Sequence, residues 1–263
     1  MTPQRLLPIP NAVNLRELGG YRTKDGRRVH NRKLLRSGSL AMLDTDEAKQ
    51  LYAYGLRHVV DLRGLDERAG WPDVLAPGVA YHVLSVLPFA DTAPLPERLS
   101  QYLGAMQEPR IAPMAEYYLR MLTDAHALAQ WRALFDLVAT NTTPNEAVLF
   151  HCAAGKDRTG VAAMMLLGML GVPEGTIRQD YLLTNAVFAA PAAQVTQALQ
   201  DPGSTFVADM NRNRAEVQCQ LAVAAFIRGE YGDWPRYVAR ELGVDAAAQT
   251  VLRDQLLTAE KNC

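Results

Sequence analysis

The chain has 263 residues, of which 49% are hydrophobic and 21% are charged, and its formal net charge is −1 at pH 7. This composition predicts a single large globular domain. The near-zero net charge argues against nucleic acid or an anionic membrane as a partner, because both attract an excess of positive charge.

Cysteine content and hydrophobic patterning indicate the compartment. Cys152, Cys219 and Cys263 are too few and too scattered for a disulfide framework. The longest apolar run, residues 161–170, is too short to span a bilayer, so we expect no stable membrane insertion. The proline-interrupted start lacks the pattern of a cleaved signal peptide. We therefore expect a cytoplasmic protein, with secretion by a route without a cleaved signal as the alternative.

The N-terminal third contains short strands and one helix. Residues 1–30 look irregular, with glycine-containing turns at 19–20 and 25–26. Thr45 is the predicted N-cap of a helix over residues 46–54, and Gly55 is its predicted end. The predicted strands are residues 34–36 and two buried segments, 58–63 and 80–87.

The rest of the chain alternates helices with one further strand. Residues 90–113 are rich in proline and predict a long functional loop or lid. Strands alternating with helices predict an α/β fold with a mostly parallel sheet flanked by helices, in one domain with a helical addition or lid within about residues 176–263. The predicted elements are helices at 114–121, 126–140 and 160–170, a strand at 147–150, and helices from 176 onward, broken near 191 and at 201–204.

The most informative segment follows the strand at 147–150 and reads His-Cys-Ala-Ala-Gly-Lys-Asp-Arg-Thr-Gly over residues 151–160. Successive backbone N–H groups in a tight loop at a helix N-terminus bind anions, and the helix dipole adds positive potential there. Small side chains let such a loop close around a phosphate, and glycine adopts a positive φ without strain. The predicted phosphate-binding loop comprises Ala153, Ala154, Gly155, Lys156, Thr159 and Gly160.

Cys152 and Arg158 are the predicted catalytic residues of this loop. The guanidinium of Arg158 can hold two phosphate oxygens at once. Positive potential lowers the pKa of the Cys152 thiol below the ordinary value of about 8.5. The thiolate can then attack phosphorus and form a phosphocysteine that water hydrolyses. We expect Thr159 to hydrogen-bond Cys152 or cap the helix, and His151 to orient the loop. The alternative interpretation is a buried core thiol with a surface charge.

Further motifs accompany the loop in order along the chain. They lie at residues 14–21, 36–40 and 60–63, with a C-terminal signature at 230–232, 237 and 242–244. Together they resemble the bacterial protein tyrosine phosphatase family whose active loop reads HCxxGKDRTG. The resemblance implies a phosphatase-type fold, no metal or other cofactor, and hydrolysis of phosphotyrosine in proteins. It also implies that Lys156 and Asp157 accompany a wider dual- or triple-specificity range, with phosphoinositides as the alternative main substrate.

The general acid is left open between two aspartates. Asp91 follows a Leu-Pro-Phe-Ala segment at the end of a predicted strand, and the resemblance assigns an aspartate there. Asp157 lies inside the active loop but can instead orient Arg158 or a water molecule. Asp61 and Arg63 are predicted supporting residues that form a buried ion pair, whereas Asp66 is supported only by its proximity. The leaving-group oxygen needs a proton donor, so we expect one of these carboxyl groups to act as the general acid.

Several further residues keep two interpretations. Asn14, Arg16 and Arg36 either support the loop or pair with Asp61 and Glu17. The histidines outside the loop show no metal-ligand spacing, and Tyr117 and Tyr118 are expected to pack in the core or line a phenyl slot. Arg212 and Arg214 form a solvated face or a second anion site. A sulfurtransferase and a phosphate-binding adaptor are the remote functional alternatives, and the sequence leaves the oligomeric state open.

Overall fold

A mostly parallel sheet forms the centre of the fold. The computed structural model of the chain describes residues 5–91, 93, 95–103, 112–188 and 214–259. Within these residues the sheet has five strands in the order β1-β2-β5-β3-β4, and only the β1–β2 pair is antiparallel. The α/β prediction is therefore confirmed. The strands are β1 (Arg16–Glu17), β2 (Leu34–Ser37), β3 (Leu56–Asp61), β4 (Ala80–Val83) and β5 (Ala147–His151).

Helices connect and flank the strands, as the alternation predicts. Helix α6 begins at Arg158, before the predicted residue 160, so the active loop runs directly into it. The helices of the described residues are α1 (Thr45–Tyr54), α2 (Leu65–Gly70), α3 (Glu97–Ser100), α4 (Ala112–Met121), α5 (Ala125–Thr140), α6 (Arg158–Met169), α7 (Glu174–Phe188), α8 (Val217–Glu230), α9 (Trp234–Leu242) and α10 (Ala246–Leu256).

The start of α1 corrects one prediction. Asp44, rather than Thr45, is the N-cap, and its carboxylate accepts hydrogen bonds from the amides of Asp46 and Glu47. The carboxylate of Glu47 in turn accepts a hydrogen bond from the Asp44 amide, which completes a capping box. The prediction of Thr45 as the N-cap was wrong, because the two residues of the capping box, which are three positions apart, are Asp44 and Glu47. Gly55 ends the helix at φ 128°, as predicted.

Strand β4 corrects a second prediction. It ends at Val83 rather than at residue 87, and three of its four residues are exposed rather than buried. β4 pairs only with β3 in the described sheet and so forms an edge. An apolar run on an edge strand has the same pattern as one on a central strand, so the sequence could not distinguish them.

Two hydrophobic clusters cover the two faces of the sheet. Along β5, Val148 and Phe150 belong to one cluster, and Ala147 and Leu149 to the other, as the two-residue repeat of a strand requires. Every residue of α6 is buried, because this helix lies between the sheet and the surrounding helices. Both faces of β5 are therefore covered, as its continuous apolar run predicts.

Some predictions lie outside the described residues. They are the helix breaks near 191 and at 201–204, the side chain of Arg212, and Cys263. Arg214 is exposed at the start of the last described segment. In the described parts of the chain, we find no helix with the length and apolarity that a bilayer crossing requires.

Candidate active site

The active loop lies at the centre of the C-terminal edge of the sheet. His151 ends β5 and is level with Ser37 of β2 on one side and Asp61 of β3 on the other. Residues 152–157 then lead into α6 at Arg158. Because the carboxyl ends of parallel strands meet at one edge, residues from all three strands converge on this loop.

Donors outside the loop bind its carbonyl groups. The side-chain amide of Asn14 donates to the carbonyls of Ala154 (3.1 Å) and Gly155 (3.0 Å), and Arg36 donates to Gly155 (2.7 Å). Gly155 has φ 66°, and a Cβ there would lie 2.4 Å from the backbone of Ser37. Only glycine fits this close approach. Of the two alternatives for Asn14 and Arg36, the structure therefore shows contact with the loop.

The remaining loop residues also contact the scaffold. The carbonyl of Ala153 accepts a bond from the amide of Ser39 at 2.8 Å. Thr159 and Gly160 are buried in the first turn of α6, and Gly160 lies against the ring of Tyr181. The loop is therefore fixed by β2, the segment after it, and α7.

Cys152 is a buried thiol at the start of the loop. Burial raises the pKa of the thiol, but the positive charge of Arg158 and the side-chain and backbone interactions with Thr159 outweigh it, and the net pKa is lowered. Asp157 opposes this shift. The result is the environment of a nucleophilic thiolate rather than of an inert core cysteine.

Arg158 is held by a carboxylate that the sequence reasoning missed. Glu67 of α2 binds both terminal nitrogens of Arg158, at 2.6 and 2.8 Å. Burial raises the pKa of Glu67, but the charge and hydrogen bonds of Arg158 outweigh it and lower the pKa. The neighbouring Asp66 was weighed instead and is exposed. The signal in the sequence that could have identified Glu67 is its position three residues after Gly64. Its carboxylate accepts a hydrogen bond from the Gly64 amide at 2.9 Å.

Lys156 and Asp157 form a buried pair next to the thiol. The ammonium of Lys156 lies 2.7 Å from Oδ1 of Asp157, and the hydroxyl of Tyr118 donates to the same oxygen at 2.6 Å. Tyr118 is also within hydrogen-bond distance, 2.9 Å, of the Tyr181 hydroxyl. Oδ1 of Asp157 is thus shared by Lys156 and Tyr118 in one buried polar cluster, and the charge of Lys156 is paired within the protein.

Asp91 lies on the loop that follows β4. Its side chain is exposed, and Oδ1 accepts the amide of Ala93 at 2.7 Å. The Asp91 amide donates to Asp124, the N-cap of α5, at 2.9 Å. Phe89 of the same loop packs against the ring of Tyr117, with centroids 5.3 Å apart. Burial raises the pKa of Tyr117, and the charges of Arg158, Asp157 and Cys152 also act on it, so Phe89 packs against a residue that borders the active loop.

A buried charge cluster lies beside His151. Arg63 pairs with Asp61 (2.6 Å), as predicted, and also with Asp73 (2.6 Å), which the sequence reasoning missed. Nε2 of His151 is 3.2 Å from Asp73, and its Nδ1 is 3.2 Å from the carbonyl of Cys152. Burial lowers the pKa of His151, but Asp73 and Asp61 outweigh it and raise the pKa.

This cluster also contains the one group of potential metal ligands found among the described residues. Ligand atoms of Asp61, Asp73 and His151 lie within 4.8 Å of one another. Arg63 already donates to both carboxylates, so its guanidinium supplies the positive charge that a metal ion would bring. The cluster contacts the active loop through His151, whose Nδ1 lies 3.2 Å from the carbonyl of Cys152.

Arg16 and Arg36 pair with a residue that the sequence reasoning did not consider. Both bind Asp180 of α7, at 3.0 and 2.5 Å. The alternative that they pair with Asp61 or Glu17 is wrong, because α7 packs against the loop and brings a closer carboxylate. No local pattern could have shown this contact, which joins residues 164 and 144 positions apart.

Comparison with known proteins identifies the family. The profile described as the tyrosine phosphatase family matches residues 7–258. The chain belongs to the tyrosine phosphatase family. The resemblance inferred from the motifs is thereby confirmed.

Three relatives show how far this tyrosine phosphatase family member resembles other members. A protein of Cupriavidus necator named as a tyrosine-protein phosphatase is 34% identical over 68% of this chain and 63% of its own length. A tyrosine-protein phosphatase of Nostoc commune is 30% identical over 57% and 47% of the respective lengths. The triple specificity protein phosphatase PtpB of Mycobacterium tuberculosis is 28% identical over 76% of each chain. The matches thus span less than two thirds of the first two relatives.

Proposed function

We propose that this chain is a cysteine-dependent protein tyrosine phosphatase. The observation that carries the proposal is the arrangement at the start of α6. A thiol of lowered pKa stands beside a guanidinium whose two terminal nitrogens are held by Glu67. A thiolate with an oriented guanidinium at a helix N-terminus suits attack on a phosphate monoester. Family membership supports the same conclusion.

The reaction proceeds in two steps. The thiolate of Cys152 attacks phosphorus, so an S–P bond forms while the bond from phosphorus to the leaving oxygen breaks. A general acid protonates the leaving oxygen, which departs as an alcohol or phenol. Water then attacks the phosphocysteine, the S–P bond breaks, and inorganic phosphate and the thiolate are released. Arg158 and the loop amides stabilise the equatorial oxygens in both transition states.

Cys152→Ser tests the nucleophile. The variant should lose turnover of p-nitrophenyl phosphate while it still binds vanadate or phosphate, because the amides and Arg158 remain. Binding is measured by calorimetry on the folded variant. Hydrolysis at the wild-type rate by Cys152→Ser would refute the phosphocysteine mechanism, and binding without turnover by the wild type would favour an adaptor.

We propose Asp91 as the general acid and Asp157 as an orienting residue. Asp91 is exposed, and Phe89 of the same loop packs against Tyr117. Oδ1 of Asp157 instead accepts bonds from Lys156 and Tyr118. An acid must be able to deliver its proton to the leaving oxygen. The exposed Asp91 meets this condition more readily than Asp157, which is buried and whose Oδ1 already accepts two hydrogen bonds.

Leaving-group dependence separates the two aspartates. Asp91→Asn should lower kcat for phosphotyrosine peptide, whose leaving group is poor, by about 10²–10⁴-fold, the usual contribution of acid–base catalysis. The same variant should change kcat for a substrate with a highly acidic phenol far less. If Asp157→Asn shows that selectivity and Asp91→Asn does not, the assignment is reversed.

The substrate range is proposed to extend beyond phosphotyrosine. A relative at 28% identity is named as a triple specificity phosphatase. Phosphoinositides receive no support from Lys156, because its ammonium is buried and paired with Asp157. A panel of phosphotyrosine, phosphoserine and phosphothreonine peptides with phosphoinositides tests this range. Since the mechanism needs a reduced thiol, we place the activity in a reducing compartment such as the cytoplasm.

A further inference from the structure

Asp180 lies on α7, outside the active loop, and binds the residues that hold the loop carbonyls. We propose that Asp180 is a positioning residue for phosphate binding, and that it acts through Arg36 and Asn14. This inference deepens the proposed function and depends on it.

An anion-binding loop must turn its amides towards the ligand. In a trans peptide the N–H and C=O groups point in opposite directions. The carbonyls of Ala153, Ala154 and Gly155 accept bonds from donors outside the loop, on the side of β2. The amides of residues 154–156 therefore point to the opposite side, where a phosphate can bind. Whatever fixes these carbonyls also fixes the anion site.

Arg36 connects Asp180 to the carbonyl of Gly155. Its Nη1 lies 2.5 Å from Oδ2 of Asp180, and its Nη2 donates to the Gly155 carbonyl at 2.7 Å. The planar guanidinium cannot rotate without breaking both bonds. The Asp180 carboxylate, bound to Nη1 of Arg36, therefore orients Nη2 towards the Gly155 carbonyl of the loop.

Asn14 depends on the same carboxylate through Arg16. Nε of Arg16 lies 3.0 Å from Oδ1 of Asp180, and its Nη2 donates to the Asp180 carbonyl at 2.9 Å. The Nη1 of Arg16 donates to the side-chain oxygen of Asn14. An amide whose oxygen is taken by a guanidinium must present its NH₂ group elsewhere, and here it faces the carbonyls of Ala154 and Gly155.

Burial makes this arrangement dependent on one negative charge. Arg16, Arg36 and Asp180 are all buried, with exposed fractions of 0%, 0% and 1%. Burial raises the pKa of Asp180, but the two arginines outweigh it and lower the pKa to about 2. Burial and the charge of Arg16 lower the pKa of Arg36 to about 10, although Asp180 opposes them. Among the described residues, Asp180 is the carboxylate that pairs with these two adjacent guanidiniums, and its loss would leave both buried without that counter-ion.

Asp180→Asn tests the proposal because the side chain keeps its shape and loses its charge. We expect kcat/KM for p-nitrophenyl phosphate to fall by about 10- to 100-fold, as displaced reacting groups require. The dissociation constant for vanadate should rise by a similar factor. Both are measured at a temperature where circular dichroism shows the variant folded.

Lys33→Met is the matched control for a loss of stability alone. Lys33 is also buried, and its ammonium binds the carbonyls of Asn141 (2.7 Å) and Thr143 (2.9 Å). It precedes β2 at the end of the sheet opposite the active loop. We expect this variant to lose stability and to retain wild-type kcat/KM and vanadate affinity.

A double variant tests the route through Arg36. If Asp180 acts through Arg36 and Asn14, adding Asp180→Asn to Arg36→Gln should cost less than the product of the two separate effects, because only the route through Asn14 is then left to lose, whereas independent effects would multiply. Wild-type vanadate affinity in a folded Asp180→Asn variant would overturn the inference even if Arg36→Gln does not fold. Lack of turnover by the wild type would refute the proposed function instead, and vanadate binding would then still report on Asp180.

Discussion

Glu67→Gln removes the charge that orients Arg158 and nearly preserves the shape of the side chain. In the wild type the carboxylate accepts bonds from both terminal nitrogens of Arg158, at 2.6 and 2.8 Å. An amide keeps one acceptor and turns an NH₂ group towards the guanidinium. We therefore expect both a loss of stability and a loss of phosphate binding.

The magnitude follows from the burial of the pair. The side chains of Arg158 and Glu67 are 0% and 10% exposed. Breaking one partner of a buried ion pair costs about 3–5 kcal/mol, because the other charge stays buried. We expect the free energy of unfolding to fall by about that amount. If the Arg158 guanidinium shifts by about 1 Å once this carboxylate is gone, we expect kcat/KM to fall about 100-fold.

The effect on stability depends on pH with a definite sign. In the folded protein the pKa of the Glu67 carboxyl lies below its ordinary value. Its ionised form therefore stabilises the fold above the unfolded-state pKa, and this contribution is lost as the pH falls through the lower folded-state pKa. The difference in stability between wild type and Glu67→Gln should be full at pH 7 and should shrink in acid.

Urea unfolding at several pH values and kinetics with p-nitrophenyl phosphate measure these effects. Asp66→Asn is the matched control, because it removes the same charge from the exposed face of the same helix. It should leave both quantities near their wild-type values. Equal stability and equal kcat/KM for Glu67→Gln and wild type would refute the reasoning that Arg158 needs its carboxylate.

Three further outcomes follow from the structure. Gly155→Ala should lower the free energy of unfolding by more than the roughly 1–2 kcal/mol of a left-handed alanine, because its Cβ would lie 2.4 Å from neighbouring backbone; wild-type stability in urea would contradict this. The rate of Cys152 alkylation by iodoacetamide, followed by mass spectrometry over a range of pH, should reach half its maximum below the pH of about 8.5 that is usual for a free thiol. Arg158→Ala should raise the pH of this midpoint. Cys219, whose pKa burial raises to about 12, is the internal control and should stay unmodified near neutral pH. Trp131→Ala should cost about 3–5 kcal/mol in urea unfolding, because the side chain is fully buried and donates to Met121, and should leave the kcat of the folded protein unchanged.

Local signals were sufficient for most elements of the fold. The strand over 147–150 and the loop after it could be predicted because a buried strand, small residues and a helix follow one another directly in the chain. Gly55 was predicted as a helix end for a similar reason. The predictions for Thr45 and for the buried strand over 80–87 were wrong, since the first needed the reciprocal cap and the second the position of the strand in the sheet.

By itself the sequence determined the parts of the site that share one segment. Cys152 and Arg158 belong to a single loop, and their spacing sets their chemistry wherever that loop lies. Only the tertiary structure decided which groups hold that loop. Glu67, Asp73 and Asp180 come from different elements, and burial together with the geometry of their ion pairs selects them among the 28 acidic residues of the chain. Ion pairs form between groups that lie a few ångströms apart in space. The separation of two residues along the chain does not show whether they come that close.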